Sequence, residues 1–140
     1  RLEAGQIKYS LQLGRDHLVH ANAMVLEQIV VNLLTNAIDA LAGRDDARIE
    51  IRMGPAGAES DNVVLSIEDN GSGMSDDQLN RVFEPFFTTK PMGQGLGLGL
   101  AISYSLACDI GADLTVKSRV GEGTCFSLTI KSAENERWKT

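Results

Sequence analysis

From Met24 to Ala42, the residues Leu26, Val30, Leu33, Leu34, Ala37 and Leu41 recur at helical spacing, and Gly43 supplies a stop. A helix with one apolar face gains most of its stability from the layer it covers, so the rest of the chain must provide that layer. The flanking sequence reads as strands. Ile7–Leu13 and Leu18–Ala21 surround the turn-like Gly14-Arg15-Asp16. Arg48–Met53, closed by Gly54-Pro55, and Val63–Ile67 form a hairpin expected to be central to the sheet. Leu114–Ser118 and Thr124–Lys131 are joined by Gly121-Glu122-Gly123. Ser75, followed by Asp76 and Asp77, opens a short helix to about Val82, and Leu98–Ile110 reads as a helix ended at Gly111. Residues 86–98 carry no period and suit a mobile loop. The order ββ-α-ββ-α-loop-α-ββ predicts an α/β two-layer sandwich: a mixed, mainly antiparallel sheet with about three helices on one face. The 140 residues fit a single domain spanning 1–140.

Composition narrows the function. A formal charge of −6 argues against a nucleic-acid partner, so an anionic ligand would have to be held by local geometry, metal or dipoles. No apolar run approaches the ~20 residues needed to span a bilayer, and no secretory signal opens the chain. Cys108 and Cys125 lack metal or redox spacing and read as reduced, packed thiols. The start at Arg1 reads as a fragment of something longer.

Three features carry chemistry. On the long helix, Asn32, Asn36 and Asp39 fall within one stripe, opposite Val30, Leu34, Ala37 and Leu41. They form either a polar face for a metal or phosphate ligand or a plain solvated face. Asp69-Asn70-Gly71-Ser72-Gly73 follows an apolar strand. There a carboxylate can accept the exocyclic amine of a purine, and the glycines permit close backbone approach. An Asx turn is the alternative, and the residues after Asp69 do not fit an EF-hand. Gly93-Gln94-Gly95-Leu96-Gly97-Leu98-Gly99-Leu100 runs from the loop into a helix. Such a junction offers free N–H groups and a helix dipole to phosphate. It matches neither the Walker nor the GxGxxG pattern, and a hinge without a ligand is the alternative.

Taken in order, these segments resemble the motifs of histidine kinases. Glu27–Ala40 resembles the N box, Asp69–Gly73 the first glycine box, Phe83-Glu84-Pro85-Phe86-Phe87 the phenylalanine box, and Gly95–Leu100 the second glycine box. The resemblance implies the Bergerat α/β sandwich with a flexible ATP lid, binding ATP with Mg²⁺. By position it implies that Asn36 coordinates Mg²⁺ and that Asn32 helps place metal and triphosphate. It assigns the adenine amine to Asp69, with Gly71 and Gly73 lining the pocket, and the phosphates to a lid of Gly95, Leu96, Gly97, Leu98, Gly99 and Leu100. Asp39 stands in the ATP site where many such kinases place Lys. Lys90 could add a point charge to the phosphates or be simply solvated.

Hydrolysing members of the superfamily carry Glu one helical turn before the metal-binding Asn, where this chain has Asn32. A carboxamide is no general base, and Glu27 lies about 140° around the helix from it. Asn32 and Lys90 are thus the catalytic candidates for transfer to an outside nucleophile rather than to water. The resemblance implies a phosphoacceptor histidine on dimerisation helices absent from this chain, and a response-regulator receiver domain downstream. His17 and His20 have no such helical context. The parent protein is expected to be a homodimer of the bacterial inner membrane with this domain in the cytoplasm, most like kinases sensing dicarboxylates or nitrogen status. An anti-sigma-factor type of serine kinase and an ATPase clamp are the alternatives.

Overall fold

Alternation decides the centre of the sheet. In β3 (Val63–Asp69), Val63, Leu65, Ile67 and Asp69 are buried while the residues between them are not. A strand covered on one face shows this period of two. β5 (Gly123–Ile130) repeats it with Thr124, Phe126, Leu128 and Ile130. The computed structural model describes residues 8–13, 23–57, 62–87 and 99–131. Besides these strands they form β1 (Lys8–Leu13), α1 (Ala23–Ala40), β2 (Arg48–Pro55), α2 (Asp76–Arg81), α3 (Gly99–Asp109) and β4 (Asp113–Arg119). The sheet is five-stranded in the order β1-β2-β3-β5-β4. β1 pairs with β2 in parallel, and the other pairings are antiparallel. The mixed, mainly antiparallel sheet and the inner position of the β2–β3 hairpin thus agree with the sequence reading. The strand expected at Leu18–Ala21 lies outside the described residues.

α1 packs on β3 and on α3, and α3 also contacts β4. Ile29, Leu33, Ala37 and Leu41 descend from α1 and its end into a core shared with Ile49, Ile67, Leu114, Phe126 and Leu128. Val30 and Leu34, expected opposite the asparagines, are only partly buried. The most buried row runs through Ile29 and Leu33 because the helix must serve both the sheet and α3. Fully burying such aliphatic side chains stabilises the fold by roughly 1.5–3 kcal/mol each. α2 has no buried residue and touches β4, so it lies at the margin of the helical layer. Its start is fixed locally: the Ser75 hydroxyl accepts from the Gln78 N–H and the Gln78 side chain accepts from the Ser75 N–H, a complete capping box. Among the described residues no helix is long and apolar enough to cross a membrane.

Candidate functional site

Asp69 ends β3 on its covered face and is 3% exposed. Its Oδ1 accepts the Gly71 N–H at 2.9 Å, and the Thr124 N–H also donates to the carboxylate. An ionised carboxylate has about four acceptor positions, so capacity remains for an outside donor. Burial pushes the Asp69 pKa up from the ordinary 3.8, the two N–H groups oppose that, neighbouring Glu68 adds to it, and Arg44 works against it. Desolvation wins, which leaves a carboxylate in need of a further donor.

The first glycine box earns its glycines against the protein's own backbone. A Cβ on Gly71 would lie 2.7 Å from the Ala40 carbonyl oxygen at the end of α1, and 2.9 Å from Asp69 Oδ1. Gly73 has φ +73° and abuts the Arg119 carbonyl at the end of β4. Both glycines let β3 turn sharply between α1 and β4, which brings Asp69 beside the last turn of α1. Gly123, read from sequence only as part of a turn, has φ +113° and abuts the Asp69 carbonyl.

On α1, Asn32, Asn36 and Asp39 are half-buried rather than on an open solvated face. The Asn32 carboxamide accepts from Gln28 Nε2 at 2.9 Å and donates to the Gly99 carbonyl at 3.4 Å. That carbonyl also accepts the Ser103 hydroxyl at 2.9 Å. Asn32 therefore ties α1 to the first residue of α3, the last glycine of the second glycine box. Gly99 and Leu100, assigned by sequence to the lid, sit in the first turn of α3, where Leu100 packs against the core. Lys90, Gly95, Leu96, Gly97 and Leu98 lie outside the described residues, as do His17 and His20.

The phenylalanine box connects these parts. Phe83 stacks on Tyr104 of α3 with ring centroids 4.9 Å apart and meets Phe126 edge-on at 6.3 Å. Arg81 lies over the Phe87 ring at 4.8 Å and pairs with Glu84 at 2.9 Å. The thiols correct one expectation, because Cys108 is exposed rather than packed, while Cys125 is half-buried. An outward turn of α3 places Cys108 away from the core residues Ser103 and Ala107.

Sequence reasoning missed three polar residues. Thr124 is buried and pairs across the sheet with Asp69, and Ser118 is the next residue along the same row. The Ser118 hydroxyl lies 2.8 Å from each of the Met74 N–H nitrogen, the Gly123 carbonyl and the Thr124 hydroxyl. Asn70 is bound to the loop after α1, with Oδ1 accepting the Arg48 N–H at 2.7 Å and Nδ2 donating to the Asp46 carbonyl at 2.8 Å. The usable signal was parity: Thr124 continues the covered face of β5, as Asp69 does that of β3.

The family described as histidine kinase-, DNA gyrase B-, and HSP90-like ATPase matches residues 21–134. The chain belongs to this family. Sensor kinase CckA of Brucella abortus strain 2308 is 36% identical over 98% of this chain and 16% of its own length. The C4-dicarboxylate transport sensor protein DctB of Rhizobium meliloti strain 1021 is 38% identical over 80% of this chain and 17% of its own. The chain thus spans less than a fifth of these relatives. Among solved structures, the nucleotide-free catalytic domain of histidine kinase ThkA is 26% identical with a TM-score of 0.77, covering 93% of this chain and 82% of that one. This is the sensor-kinase type of the ATPase fold, and the α/β architecture is that of histidine kinase catalytic domains.

Proposed function

We propose that the chain, as one domain over 1–140, is the catalytic part of a two-component sensor kinase that binds Mg-ATP and passes its γ-phosphate to a histidine of separate dimerisation helices. The observation that carries this reading is the setting of Asn32. Where a hydrolase of the superfamily would hold a carboxylate, this helix holds a carboxamide bonded to Gln28 and to the Gly99 carbonyl. Neither Gln28 nor Asn32 can take a proton from water at neutral pH. Transfer to an incoming neutral imidazole needs no such base from this domain, only positioning and charge neutralisation.

In this reading Asp69 accepts the adenine amine while Gly71 and Gly73 shape the wall beside it. The start of α3 at Gly99 turns backbone N–H groups and the positive end of a helix dipole toward phosphate, with Leu100 anchoring that turn in the core. Gly95, Leu96, Gly97 and Leu98 close on the phosphates, Lys90 adds a positive charge, and Asp39 borders the metal end. Among the described residues no group of three or more His, Cys, Asp or Glu could hold a metal ion. Mg²⁺ would be held by the Asn36 carboxamide oxygen, with phosphate oxygens and waters filling its remaining positions, since this ion keeps several waters and binds through substrate phosphates. When bound, Mg²⁺ neutralises phosphate charge. Full-length ShkA solved with AMPPNP, 25% identical with a TM-score of 0.78 over 94% of this chain, supports a nucleotide in this fold.

The parent protein is then a homodimeric protein-histidine kinase of the bacterial inner membrane, with this domain in the cytoplasm and a response-regulator receiver domain as the next acceptor. Its likeness to DctB supports a dicarboxylate-sensing type. The test is to mix the domain with γ-labelled ATP and candidate dimerisation helices. Acid-labile, base-stable label on a histidine of those helices is expected. Acid-stable phosphoserine on another protein, or steady ATP hydrolysis by the domain alone at dedicated ATPase rates, would overturn the reading.

A further inference from the structure

We infer that Asn70 is a positioning residue for base selection: by tethering the end of β3 to the loop after α1, it fixes the direction of the Asp69 carboxylate. The inference rests on the adenine-site reading of Asp69 proposed above. The β2–β3 ladder ends at the pair Ile49 and Asp69. One position further on, Arg48 and Asn70 still exchange two hydrogen bonds, but they are of unequal kind. The Asn70 N–H donates to the Arg48 carbonyl at 3.3 Å, and the Arg48 N–H donates to the Asn70 side-chain oxygen at 2.7 Å. The side chain thus takes the bond that a main-chain carbonyl takes in a regular ladder, and this lets the main chain leave the sheet at Asn70.

The second arm of the carboxamide matters as much. Asn70 Nδ2 reaches the Asp46 carbonyl at 2.8 Å, so one planar group holds the backbone at both Asp46 and Arg48. The chain then passes to Gly71, where a Cβ would collide with the Ala40 carbonyl and whose N–H donates to Asp69 Oδ1. The position of that N–H, and with it the rotation of the carboxylate, is set by where Asn70 is pinned. Strand ends fray unless tied down. A buried carboxylate that swings away from its ligand loses a charge-assisted hydrogen bond, whereas contacts at the triphosphate end are made by other elements.

The prediction therefore concerns the preference for ATP over inosine triphosphate, which lacks the exocyclic amine but keeps the sugar and triphosphate. Affinities of both for the chain are measured by calorimetry with Mg²⁺, alongside thermal melting. The wild type is expected to favour ATP by about tenfold, the scale of one hydrogen bond to a charged group. Asn70→Ala is expected to reduce this to roughly twofold by weakening ATP binding alone. Asn70→Ser keeps a short neutral hydroxyl able to accept from the Arg48 N–H and does not reach the Asp46 carbonyl as well, so it is the milder variant that carries the test if Asn70→Ala does not fold. Ile130→Val, buried at the opposite end of β5, supplies a comparable loss of stability and is expected to leave the preference unchanged. An Asn70 variant that keeps the wild-type preference while Asp69→Asn abolishes it overturns this inference and leaves the adenine site standing. A preference that survives Asp69→Asn overturns the adenine site and this inference together. A preference lost in Ile130→Val as well shows a general effect of stability and overturns the role of Asn70.

Discussion

Asp69 is a residue kept at a cost. In the unfolded chain it loses its proton near the ordinary 3.8, whereas burial holds the proton on to a higher pH in the fold. Between those two values the folded state binds more protons than the unfolded one, so stability falls as pH rises through the interval and stays lowered above it. Asp69→Asn removes that loss and keeps a carbonyl acceptor for the Gly71 N–H. The variant is expected to melt higher than wild type at neutral pH, with the gap closing as pH falls toward the ordinary aspartate value, and to bind ATP more weakly. Melts across that pH range together with calorimetry check both halves. A variant that melts lower at neutral pH would show the carboxylate to be better compensated than its burial implies. The position of this residue was legible in the sequence, because Val63, Leu65, Ile67 and Asp69 share one parity. The surroundings were not. What faces Gly73 is the Arg119 carbonyl, and what faces Gly71 is that of Ala40, partners that no local pattern names.

At the scale of elements, starts and stops that depend on nearby residues were readable, and packing that depends on distant ones was not. α2 begins at Asp76 after the Ser75 cap that its sequence advertises. None of its own residues is buried, so its start depends on these local hydrogen bonds, while Val82 and Phe83 just beyond its end anchor it to the core. Ser75→Ala is expected to cost about 1 kcal/mol in denaturant unfolding. Ser75→Asp, which can still accept from the Gln78 N–H, should recover most of the loss. The face of α1 shows the other case. Its period announced a helix with an apolar side, but which row is most buried depends on sharing that helix between β3 and α3, and so Ile29 and Leu33 lie deeper than Val30 and Leu34. Gly99 and Leu100 fall within the helix read over Leu98–Ile110, but that the Ser103 hydroxyl and the Asn32 carboxamide hold the Gly99 carbonyl at its start was not readable.

At the scale of the molecule, the proposed site draws on the end of β3, one side of α1 and the start of α3, so nucleotide binding there should stabilise the domain as a unit. With Mg-ATP at 100 times its dissociation constant the gain is about 2.7 kcal/mol, visible as a rise in melting temperature. Chelating Mg²⁺ with EDTA should remove much of that rise, and an equal rise with ATP in excess EDTA would count against a metal at Asn36. The same assembly carries a consequence in its hydroxyl row. Ser118 has one hydrogen, and the Gly123 carbonyl, which can only accept, claims it. The Met74 N–H and the Thr124 hydroxyl must then both point their hydrogens at Ser118. Thr124, beside Asp69 in the sheet, therefore has no proton left to give and can only accept from a further group. The direction of the Thr124 hydroxyl is thus set from the neighbouring edge strand β4, by a serine two strands away from Asp69.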